Sequence, residues 1–169
     1  MTIAQYRWVI ALALAAGLGV APAVAETIGP PPAGKGRIVV YRASVWAGAL
    51  ARGWPVKVDN QDAGNLKAGT YVIADRAPGS HTLSMELWDE PGVSKRSVHV
   101  AAGQTAFFRL EMREKAKKAM MVGSLVGGGL IGYAIGASIA KNENPNGLYE
   151  FVSVSDGRKA TADMKKAGN

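Results

Sequence analysis

The chain has 169 residues, with 20 Lys and Arg against 13 Asp and Glu, two histidines and no cysteine. That length holds one domain of ordinary size and not two. The missing thiol excludes disulfides, thiolate metal sites, a cysteine nucleophile and the lipidated cysteine of a bacterial lipoprotein, and the excess of positive charge favours anionic partners.

Residues 1 to 25 divide into the three parts of a secretory signal. Arg7 and the amino terminus give a positive start, the run from Trp8 to Ala21 is apolar, and Ala23-Val24-Ala25 supplies small residues for cleavage before Glu26. The apolar run is shorter than the ~20 residues of a spanning helix, and Pro22 ends it. Removal of this segment leaves 19 basic residues against 13 acidic ones, a net charge of +6. The expected location is the periplasm or cell envelope, where the anions are lipid headgroups and acidic wall polymers. Nucleic acid is not an expected partner.

A Pro/Gly linker (26 to 36) precedes a series of short strands. Residues 37 to 43 are β-branched and aromatic, and 54 to 60 alternate Val56 and Val58 with Lys57 and Asp59. Further strands are expected within 64 to 76, broken at Gly69, and at 81 to 89, 94 to 101 and 104 to 112. Turns recur about every ten residues at Asp59 to Gly64, Pro78-Gly79, Pro91-Gly92 and Ala102-Gly103. This spacing predicts a mainly β domain, a small antiparallel sandwich of the immunoglobulin or transthyretin kind, built from 37 to 114 plus 147 to 157. Between those parts, 115 to 144 is an apolar, glycine-rich segment with basic flanks, expected to form one helix. A basic tail, 158 to 169, follows the last strand.

Several of these pieces resemble a family of small bacterial envelope domains, the domain-of-unknown-function 2846 family. They are GKGRIVVYRA (34 to 43), the spaced series from Val56 to Leu83 with Gly-x-Leu, Gly-Thr-Tyr and Pro-Gly-x-His, and the strands at 101 to 112 and 148 to 161. The resemblance implies fold and compartment and carries no activity. Two departures are the absent lipoprotein cysteine and the insertion at 115 to 144.

Candidate chemistry is sparse. His81 and His99 both read as strand residues, with no spacing that joins them to a nucleophile or a metal. The turn from Asp59 to Gly64 lacks the fifth-position and twelfth-position oxygens of a calcium loop, and Asp89 and Glu90 are adjacent and point apart. No catalytic residue, cofactor or metal is expected, and an envelope hydrolase is the least favoured function. Arg42, Trp46 and Arg52 could form a binding loop for an anionic glycan or a lipid headgroup.

The glycine-rich segment carries the strongest functional signal. Gly128, Gly132, Gly136 and Ala140 recur every four residues, with Gly123 and Gly127 alongside, so a helix would present a groove of small residues. Six glycines cost such a helix on the order of 5 kcal/mol relative to alanine, which close packing or a bilayer must offset. Arg113, Lys115, Lys117 and Lys118 are placed to meet anionic headgroups. The expected role is a non-enzymatic envelope module, held at a membrane through 119 to 140 or assembled with a second copy. A segment that leaves and returns to one membrane face fits better than a span, which would put the lysines on the exported side.

Overall fold

The computed structural model describes residues 28–44, 53–87, 92–143 and 146–168. The export segment and its cleavage before Glu26 lie outside the described residues, as do Trp46, Arg52 and Trp88.

Between residues 36 and 112 the described residues are mainly strand. The elements are β1 (Gly36–Arg42), β2 (Trp54–Val58), β3 (Gln61–Leu66), β4 (Thr70–Arg76), β5 (Gly79–Glu86), β6 (Val93–Val100) and β7 (Thr105–Met112). Then come α1 (Glu114–Gly127), α2 (Gly129–Glu143), β8 (Tyr149–Val154), α3 (Gly157–Thr161) and β9 (Lys165–Lys166). One sheet runs β3-β2-β5-β6, all antiparallel, and the other runs β8-β7-β1-β4-β9. In the second sheet β1 lies parallel to β7, and β4 parallel to β9, so it is mixed where an antiparallel one was expected.

The two sheets close over a single core. Ile38, Val40, Val72, Phe108, Leu110 and Phe151 from the mixed sheet meet Val56, Val58, Leu66, Leu83, Met85 and Val100 from the other. The mixed sheet is also covered on its outer face, where Val39, Tyr41, Tyr71 and Phe107 pack with Ile28 and Met164. This double burial explains why β1 reads as a continuous apolar run instead of an alternating one. It also makes the basic tail part of the fold, since its β9 pairs with β4 through Thr70↔Lys165 and Tyr71↔Lys166.

The first hairpin departs from the expected turn. Val58 pairs with Gln61, so the turn is two residues, Asp59 and Asn60, at φ 54° and 63°. Left-handed conformations at both central positions match the twist of the flanking strands, and Asp and Asn tolerate them. Gly64, expected in this turn, lies instead in β3 opposite Val56, where the register shifts and forms a bulge.

Asp59 also ties the turn to β5. Its carboxylate accepts the Thr82 backbone N–H at 2.9 Å and faces His81 Nδ1 at 2.7 Å. The Thr82 N–H first, then His81 and Arg76, hold this carboxyl below its ordinary range. A depressed carboxyl stabilises the fold above its unfolded value of about 4, and the contribution is lost as pH falls through the lower folded value. Asp59→Asn should therefore lower the denaturation midpoint at pH 7 and match the parent near pH 2. An equal deficit at both values would refute this role.

Gly79 starts β5 at φ 142°, with no atom near the position a Cβ would take. The cost of a side chain there is backbone strain alone, and β-branching worsens it. Gly79→Val should lower stability by about 1 kcal/mol or more in denaturant unfolding. An unchanged midpoint would show that the strand start can relax.

Candidate functional site: a glycine-packed helical hairpin

The apolar segment is two helices and not one. The chain reverses at Gly128 and Gly129, with φ 56° and 46°, so α1 and α2 fold back on each other as a hairpin. At φ 56° and ψ 163° Gly128 occupies a conformation that only glycine enters without strain, and three glycines in a row at 127 to 129 are a helix-stop signal. By length α1 and α2 run about 21 and 22 Å, in place of the single ~33 Å helix that residues 119 to 140 would make. Among the described residues no helix is long and apolar enough to cross a membrane.

The glycine rows face each other within the hairpin. A Cβ on Gly123 would strike the Gly132 carbonyl and the Gly136 backbone, and one on Gly132 would lie 2.6 Å from the Gly123 carbonyl oxygen. One on Gly136 would lie 2.8 Å from the Met120 Cα, and one on Gly127 2.8 Å from the Gly132 nitrogen. The groove expected to receive another helix is thus filled by the other half of the same segment. Gly128 does not belong to it, because it forms the turn. Ala140 closes the base, buried with Ala116 and Ala119 against Leu148 and the sandwich core.

The far end of the hairpin presents the opposite surface. Met121, Val122, Leu125, Val126 and Ile131 are the exposed large hydrophobic side chains among the described residues, at 48–80 % exposure. Two hydrogen bonds tie the turn to the helices: the Gly128 N–H donates to the Ser124 carbonyl, and the Gly128 carbonyl accepts from Gly132. The Ser124 hydroxyl donates back to the Met121 carbonyl at 2.8 Å. A single helix over this segment does not gather this outward apolar set, and the triple glycine at 127 to 129 is its sequence signal.

The basic residues at the base divide into two kinds. Arg113, expected at headgroups, is committed to the fold, donating to the Gly147 carbonyl at 3.0 Å and to Glu150 at 3.4 Å. Lys117 pairs with Glu114 at 2.6 Å, which raises the lysine and lowers the carboxyl from their ordinary values. Lys115 and Lys118 are exposed and have no ion pair among the described residues.

Of the second expected site only Arg42 is among the described residues. Arg42 is 4 % exposed and lies over the Trp54 ring at 3.5 Å, while Trp54 packs on Tyr149 with ring centroids 4.2 Å apart. This stack caps the core and gives Arg42 a structural role. Trp46 and Arg52, its expected companions, lie outside the described residues. His81 and His99 do not converge, since they occupy successive pairs, His81↔Val98 and Ser80↔His99, whose side chains alternate across the sheet. His99 Nδ1 is 3.5 Å from Ser80 Oγ, too long for an activated nucleophile.

A family model described as a protein of unknown function, DUF2846, matches residues 32–125, more than half of the chain. The chain belongs to the DUF2846 family. The match covers β1 to β7 and ends inside α1, so the part of the segment expected to be an insertion that precedes residue 126 lies within the DUF2846 region. No curated protein matches the chain.

Proposed function

We propose that this DUF2846 protein is a non-enzymatic envelope module that a helical hairpin holds on a membrane face. The observation that carries this reading is the gathering of the five exposed hydrophobic side chains at the distal end of one hairpin. From Ala119 to Gly128 the helix rises about 14 Å, close to half of a ~30 Å hydrocarbon core. The hairpin fits one leaflet, entering and leaving by the same face. Pairing of the Gly128 N–H and carbonyl within the hairpin lowers the penalty for placing the turn in lipid.

Magnitudes favour an apolar attachment over an electrostatic one. Burying five such side chains is worth on the order of 10 kcal/mol before ordering costs. Lys115 and Lys118 add about 1 kcal/mol each at an anionic surface. Salt should therefore weaken the attachment without ending it. Assembly through the glycine rows has less support, because the rows already occupy each other. Export to the periplasm is the companion proposal, supported by the three-part pattern of residues 1 to 25.

Flotation with vesicles of phosphatidylethanolamine and phosphatidylglycerol tests the membrane reading. The protein is expected to float, and to remain bound in 1 M salt. A protein that stays at the bottom of the gradient, or that salt releases completely, would sink it.

A further inference from the structure

The sandwich has a second feature at the pole opposite the hairpin. Strands β6 and β8 are edges of different sheets, joined at one end where Ser94 Oγ donates to the Tyr149 carbonyl at 2.7 Å. Arg96 Nη1 donates to the Phe151 carbonyl at 2.6 Å. Past Phe151 the edges part. The last pair of β7 with β8 is Phe107↔Val154, so Thr105 and Ala106 at the start of β7 have no strand beside them on that edge. The result is an open cleft of about 710 Å³ between β6 and the β7–β8 edge.

Its walls are basic. Arg96, Arg158, Lys159 and His99 line it, against Asp156 as the one carboxylate, and none of the three permanent cations has an ion pair among the described residues. The fold fixes both guanidiniums. Arg96 lies 5.6 Å from the Phe108 ring centroid, and Arg158 gives Nη1 to the Ile28 carbonyl at 2.6 Å. Each commits one nitrogen to a backbone carbonyl and keeps its other N–H donors for a further acceptor. Hydroxyls of Ser97, Ser153 and Ser155 also line the cleft.

We propose that this cleft binds a carboxylated glycan, with Arg96, Arg158 and Lys159 on its acid groups. The volume is that of a site for a molecule of several rings and far exceeds one phosphate group. The serine hydroxyls suit a polyhydroxylated chain. A headgroup of the same bilayer is out of reach. The hairpin leaves from the end of β7 and returns at the start of β8, whereas the cleft lies along Thr105 to Phe108, about 13 to 23 Å back along the strand from Met112. This last step rests on the hairpin lying in the membrane.

The test uses the full chain in detergent micelles, with polygalacturonate as the probe and neutral dextran as its control. Polygalacturonate should bind and dextran should not. Lys159→Glu and Arg96→Glu should each weaken binding at least tenfold, while Lys67→Glu, the same charge change near the other pole, should change it less than twofold. Lys159 makes no ion pair among the described residues, so its variant decides the matter if Arg96→Glu melts early. Equal losses at Lys67 and Lys159, stronger binding of poly-glutamate, or displacement by inorganic phosphate at matched charge would overturn the proposal. Binding is read in micelles and attachment by flotation, so either reading can fail alone.

Discussion

Gly123→Ile should open the helical hairpin and release the protein from membranes while leaving the sandwich folded. The added side chain would run into the Gly132 carbonyl and the Gly136 backbone, and backbone cannot swing aside as a flexible side chain does. Overpacking of this kind costs about 1–3 kcal/mol in a packed interior. The hairpin has little to offset it, because its helices pack chiefly on each other. The glycines already cost helix stability on the order of 1 kcal/mol each, which the close approach returns. Separating the helices would also expose backbone to lipid. Flotation at 1 M salt should fall at least tenfold, with the main melting transition shifted little. Full retention would mean that the helices need not touch for attachment, and a lost sandwich transition would mean that the hairpin is part of the core.

Replacing residues 115 to 146 by a short turn should convert the protein into a soluble domain. The strands on either side are already paired, through Met112↔Tyr149, and the Arg113 N–H donates to the Leu148 carbonyl at 2.9 Å. Adjacent antiparallel strands stand ~5 Å apart, a gap that a two-residue turn closes. The domain should be less stable than the parent by about 2 kcal/mol, because Ala116, Ala119 and Ala140 leave the core cluster. Vesicle binding should disappear at every salt concentration. Residual binding at low salt would place part of the attachment on the sandwich itself, and an unfolded product would show that β7 and β8 need the hairpin to pair.

The amino-acid sequence determined most of the strands, because the properties behind them are local, but not the start of β3 at Gln61 or β9 in the basic tail. Alternation at Val56 and Val58, or at Leu83 and Met85, marks a face to bury, and the turn residues mark where the chain reverses. It also determined that 119 to 140 needs an offset for its glycines. Tertiary structure alone decided what supplies that offset. Gly123 and Gly127 form one four-residue row and Gly128, Gly132 and Gly136 another beside it, so periodicity reads the same for adjacent rows on one helix and for facing rows on two. The reversal at Gly128-Gly129 makes the rows partners and turns Met121, Leu125 and Ile131 outward. Arg42 shows the same limit, since a basic residue at a strand end reads as surface until Trp54 arrives from another strand to cover it. The parallel pairing of β1 with β7, and the separation of β6 from β8 that forms the basic cleft, depend on which edges meet, a relation between distant segments that no local pattern encodes.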